Sequence, residues 1–201
     1  MERIELKNSS AHPHFIGSWV IKPSSMCDQM IQFFDSDTDK QHPGLSGSGK
    51  DYEAKKSTDI TVRPKDLNLE THKPVRAYLE SLNECYHDYL VQWPFLKTAI
   101  PKMDIGAFNI QRYQTGEHFK GVHSERLNLG HAHRVLVWMT YLNDVRQGGS
   151  TRFTHYDLDV QPEKGKTLIW PAEWTHAHLG NIVTEGSKYI VTGWMHFPTR
   201  E

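Results

Sequence analysis

Apolar residues recur at helical spacing in the first half of the chain and at strand spacing in the second. Met26, Met30, Ile31 and Phe34 share one helical face, and Ser25 is placed to cap the start. Asp35-Ser36-Asp37 ends that helix. Residues 43–51 are glycine-rich and polar and read as a flexible loop. They lack the G-x-x-x-x-G-K-[ST] spacing of a phosphate loop, since Asp51 follows Lys50. The run from Lys55 to Ile60 reads as an exposed turn leading into a strand. A longer helix follows, capped by Thr71 with Pro74 in its first turn. Val75, Tyr78, Leu79, Leu82, Tyr86, Tyr89 and Leu90 form its buried stripe, and Trp93-Pro94 closes it.

Beyond residue 100 the period changes. Strands are predicted over 105–113 and 134–142, the second a continuous apolar run suited to full burial. Shorter strands follow around 150–154, 157–160, 166–170 and 188–196, with a turn at Gly148-Gly149. Helices first and many short strands second predict one α+β domain over 1–201. Residues 1–100 supply helical support and the flexible loop, and 101–201 supply a β sandwich or barrel.

The 201 residues are within the range of one domain. No apolar run approaches the roughly 18–20 residues of a membrane span. The opening Met-Glu-Arg-Ile-Glu-Leu-Lys has no apolar stretch of a secretory signal, and two cysteines make no disulfide framework, so a cytoplasmic location is expected. A net charge of −1 argues against a nucleic-acid partner. The 13 histidines change the picture, because histidine is the commonest metal ligand.

His123-Ser124-Glu125 places an imidazole and a carboxylate at i and i+2, on one face of a strand. A third ligand must come from elsewhere, and His176 and His178 are the candidates. Two histidines and one carboxylate on one octahedral face suit non-haem Fe(II). Around them stand Tyr113, ten residues before His123; Tyr141 at the end of the apolar strand; and Lys188, ten residues after His178, with Trp194 six further on. The ordered set over roughly 105–197 resembles the Fe(II)- and 2-oxoglutarate-dependent dioxygenases, in particular their prolyl 4-hydroxylase-like branch. Glutamate stands where most members have aspartate.

The resemblance implies a double-stranded β-helix, a jelly-roll (cupin-like) barrel with N-terminal supporting helices. It implies His123, Glu125 and His178 as metal ligands and Lys188 as the cation for the far carboxylate of 2-oxoglutarate. Tyr113 and Tyr141 would line the cosubstrate pocket, and Trp194 would stand beside the metal. The cofactors implied are Fe(II), 2-oxoglutarate and O2, with ascorbate as reductant. The implied reaction is hydroxylation of a C–H bond, foremost a prolyl residue in a peptide or protein. The alternatives are a small molecule or free amino acid as substrate, or a metal-binding barrel without turnover. Trp138 and Trp170 are expected in the core, and residues 43–58 are a candidate lid.

Overall fold

The computed structural model describes residues 1–4, 13–46, 49 and 51–198. Residues 47, 48 and 50 of the candidate lid lie outside the described residues. In chain order the main elements are β1 (Gly17–Val20), α1 (Ser25–Ser36), β2 (Thr58–Val62), α2 (Lys73–Gln92) and α3 (Pro94–Ala99). Then come β3 (Phe108–Gln114), β4 (Phe119–His123), β5 (Arg134–Tyr141), β6 (Thr151–Phe153) and β7 (Leu158–Val160). The last are β8 (Lys166–Pro171), β9 (His178–Gly180) and β10 (Ser187–His196).

Two antiparallel sheets make the frame. The larger has its central strands in the order β1-β8-β5-β10-β3-β2, and the smaller runs β7-β6-β9-β4. This is the expected jelly-roll arrangement with helices on one side. The first half is more than helical support, however, because β1 pairs with β8 and β2 with β3 inside the large sheet.

The period of two along each strand builds two cores on the two faces of the large sheet. Leu136, Trp138, Val191 and Met195 face the helices, where Met30, Phe34, Tyr78 and Leu82 are completely buried. Val137, Met139, Tyr141 and Ile190 face the small sheet and pack with Phe153, Leu158 and Trp170. The expected burial of Trp138 and Trp170 is met, at 0% and 1% exposure. Each large apolar side chain so buried contributes roughly 1.5–3 kcal/mol. Gly193 permits the tightest of these contacts, since a Cβ there would lie 2.6 Å from Phe108 Cβ and from Trp138 Cζ2.

Helix starts differ from the expectation. Ser25 is the first residue of α1, and the preceding Ser24 makes no capping hydrogen bond. Thr71 falls in a short 3-10 turn, so His72 occupies the cap position of α2. The stripe along α2 is as expected, with Val75, Tyr78, Leu82, Tyr89 and Leu90 buried.

Candidate metal centre and cosubstrate pocket

His123 is the last residue of β4, and Glu125 lies just beyond the strand end. His178 opens β9, and it stands directly opposite His123 in the pairing of the two strands. Chain positions 55 residues apart therefore meet across one ladder rung. Glu125 Oε1 lies 3.5 Å from His123 Nε2 and 3.7 Å from His178 Nε2. One ligand atom from each of the three residues lies within 4.8 Å of the others.

Backbone carbonyls set the imidazole tautomers. His123 Nδ1 donates to Gly121 O at 2.8 Å, and His178 Nδ1 donates to His176 O at 2.9 Å. Both Nε2 lone pairs then face the shared point, the arrangement a metal-ligating histidine needs. Phe119 stacks on His123 at 3.8 Å and fixes its plane. Burial penalises the charged form of His178, and the neighbouring His123 adds to this, lowering its pKa to about 4. Burial pushes Glu125 upward, but the His123 hydrogen bond and the charges of His123, His178 and Arg134 outweigh it and hold the carboxyl at about 2. Above about pH 5 both groups are in the form that binds a cation. The donor set thus fits a divalent metal of the Fe(II) type, held by two imidazole nitrogens and one carboxylate.

His176 is buried but turned away. Its Nε2 faces the carbonyl of His14 at 2.8 Å, and Tyr156 lies beside it. Of the two candidate third ligands, only His178 joins the cluster.

The cluster lines a cavity of about 560 Å³. On β10 the alternation turns Lys188, Ile190, Thr192 and Trp194 into this cavity, and on β3 it turns Asn109, Gln111 and Tyr113 the same way. Lys188 is 3% exposed and donates to Gly149 O at 2.9 Å. It has no ion-pair partner among the described residues, and its ammonium lies 4.5 Å from the centre of the Tyr113 ring. Burial lowers its pKa to about 7. A buried cation without a counter-ion is costly, and an anion in the cavity would offset that cost. Gly148 and Gly149 make the expected turn, both at positive φ.

Tyr141 is placed differently from the expectation. It is fully buried between the sheets and does not line the cavity. Its hydroxyl donates to Thr151 Oγ1 at 2.6 Å, and it is Thr151 that reaches the cavity wall. Trp194 does line the cavity, but its indole N–H donates to Glu125 Oε2 at 2.8 Å.

Residues 55–60 also depart from the exposed turn expected of them. Lys55, Ser57 and Asp59 are buried, and Lys55 lines the cavity. Asp59 accepts from Lys55 Nζ at 2.8 Å, Ser57 Oγ at 2.7 Å and Gln111 Nε2 at 2.9 Å. Gln111 Oε1 in turn accepts from the Tyr113 hydroxyl at 2.8 Å. The signal in the sequence was polar alternation: Ser57-x-Asp59 runs into β2, where Asp59 pairs with Gln111 of Gln111-x-Tyr113 on β3. Of the described lid residues, Leu45, Ser46 and Ala54 also line the cavity.

Residues 108–196 match the family model of the 2OG-Fe(II) oxygenase superfamily. The alpha-1 subunit of chicken prolyl 4-hydroxylase is 29% identical over 75 residues, 34% of this chain and 14% of that subunit. The chain therefore spans less than half the length of the curated relatives it matches. Two solved structures share the fold. The viral collagen prolyl hydroxylase of Paramecium bursaria Chlorella virus-1, in complex with 2OG, gives a TM-score of 0.66 at 16% identity over 92% of this chain and 97% of its own. The Trichoplax adhaerens prolyl hydroxylase, in complex with a hypoxia inducible factor peptide, gives 0.68 at 12% identity over 91% and 84%.

The matched segment agrees with the resemblance drawn from the sequence, and it contains the whole His-Glu-His cluster and Lys188. The relatives it is similar to, by sequence and by fold, are prolyl hydroxylases.

Proposed function

We propose that the protein is an Fe(II)- and 2-oxoglutarate-dependent dioxygenase that hydroxylates a prolyl residue in a peptide or protein. The observation that carries this is one cavity with a cation-binding cluster and the unpaired ammonium of Lys188 on its wall. His123 Nε2, His178 Nε2 and Glu125 Oε1 would hold the metal. Iron with 2-oxoglutarate and oxygen would supply C–H hydroxylation, with succinate and carbon dioxide as co-products.

The chain's own contribution is binding and shielding. Lys188 holds the far carboxylate of the cosubstrate as a point charge, against the Tyr113 ring. Thr151 and Thr192 offer hydroxyls on the same wall, and Met139, Ile190 and Trp170 keep it dry. The mouth carries exposed Val122 and Leu127, 61% and 64% exposed, which suits a peptide chain better than a small charged metabolite. The peptide held by the Trichoplax relative supports the same substrate class.

The test is succinate formation from 2-oxoglutarate with Fe(II) and ascorbate, with and without proline-containing peptides. Succinate that rises with peptide is expected, together with a hydroxylated proline by mass spectrometry. His178→Ala should abolish it, whereas His176→Ala, outside the cluster, should retain most of it. Succinate indifferent to every peptide would reject the prolyl reading, and succinate unaffected by His178→Ala would reject the site.

A further inference from the structure

Glu125 has two oxygens, and only one faces the histidines. Oε1 faces both Nε2 atoms. Oε2 accepts from Trp194 Nε1 at 2.8 Å and from Arg134 Nη1 at 3.3 Å. Arg134 also donates to the Glu125 carbonyl at 3.2 Å, which ties the backbone of the ligand loop to β5. The guanidinium carbon lies over the Trp194 indole, 3.7 Å from the ring centre.

A local irregularity makes this contact. Along most of the β5–β10 ladder, residues pair one for one, with Trp194 opposite Val137 and Met195 opposite Leu136. The register then slips, and His196 stands opposite Arg134 instead of Val135. Were the alternation regular through Val135, Arg134 would share the face of Leu136 and Met195, which belongs to the helix-side core. The bulge turns Arg134 to the face of Trp194. A half-buried arginine is thereby aimed at Glu125, the carboxylate among the described residues of the cavity wall.

We infer that Arg134 and Trp194 are positioning residues that occupy Oε2 of Glu125, so that the longer glutamate presents a single oxygen to the metal. This inference rests on the proposed metal site. A glutamate has one more rotatable bond than an aspartate and could turn both oxygens toward a cation. Two donors on Oε2 remove that freedom and leave coordination positions for other ligands.

Mn(II) affinity of the full-length protein, without cosubstrate, reads this directly. Trp194→Phe removes the N–H donor while leaving a smaller aromatic ring for Arg134, and Arg134→Met keeps the stem and removes the charge. Each should weaken Mn(II) binding about tenfold with the fold intact by circular dichroism. In a Glu125→Asp background the shorter carboxylate falls short of the indole, so adding Trp194→Phe should change affinity less than about threefold. The same tenfold loss in both backgrounds would mean that Trp194 acts on the fold and not through Glu125, and would overturn the inference. Unchanged affinity in both single variants would also overturn it. If Trp194→Phe does not fold, the same cycle with Arg134→Met decides. Wild-type protein that binds Mn(II) no better than His178→Ala would reject the metal site itself, and the inference with it.

Discussion

At the residue scale, the most consequential side chain outside the metal cluster is Lys188. Its pKa is lowered from 10.5 to about 7 by burial, so it is charged below that pH and neutral above it while the cavity is empty. A bound carboxylate favours the ammonium and takes up a proton where it had been lost. The affinity for 2-oxoglutarate should therefore fall as pH rises. Between pH 6.5 and 8.5 the Kd of the metal-loaded protein should increase on the order of tenfold, as measured by isothermal calorimetry. His178, held near 4, does not titrate in that window. Lys188→Met should bind more weakly at every pH and lose the slope. A slope that survives Lys188→Met would assign the titration to another group. The same shift acts on stability. The unfolded chain binds more protons than the native one between pH 7 and 10.5, so this lysine's burial penalty eases as pH rises through that range.

At the element scale, β2 joins the first half of the chain to the cosubstrate wall. Asp59 is paired with Lys55 at 3% exposure each, and it also holds Ser57 and Gln111. Removing one partner of such a pair leaves a buried charge uncompensated, which costs about 3–5 kcal/mol. Asp59→Asn should lower the unfolding free energy by that order in urea denaturation. Replacing both partners, as in Lys55→Met with Asp59→Leu, should be much milder. A loss below about 1 kcal/mol for Asp59→Asn would mean that the pair is solvated. The consequence extends to the site, because Gln111 orients the Tyr113 hydroxyl beneath Lys188.

At the scale of the whole molecule, the metal cluster joins elements that the sequence keeps far apart. β4 and β9 meet in the small sheet, and β10 brings Lys188 and Trp194 from the large one. A ligand that binds only the folded arrangement must stabilise all of it. Mn(II) at a hundred times its Kd should raise the melting temperature on the order of 5–10 °C in a chain of this size. His178→Ala should abolish the shift, and an equal shift in that variant would place the ion elsewhere. No helix among the described residues is long and apolar enough to cross a membrane.

Local pattern and spacing made much of this legible. The stripe of α2 and the apolar run of β5 were readable because burial demands apolar residues at the period of the element. His123, Glu125, His178 and Lys188 were singled out by the ordered spacing that resembles the dioxygenases, and the fold brings all four to one cavity. Other features were not. Tyr141 lies behind the wall because Thr151 stands in front of it, a matter of sheet-on-sheet packing. Lys55 and Asp59 look like solvated charges in a string of letters and become a buried pair only when β2 docks on β3. Arg134 meets Glu125 only through a one-residue slip between β5 and β10, and no local propensity marks where that slip falls. The sequence by itself determined the buried stripe of α2 and the apolar run of β5, since each follows from the period of near neighbours. The tertiary structure alone decided which oxygen of Glu125 faces the histidines and that Lys188 has no ion-pair partner among the described residues, because those depend on groups that are distant along the chain and meet only in the packed fold.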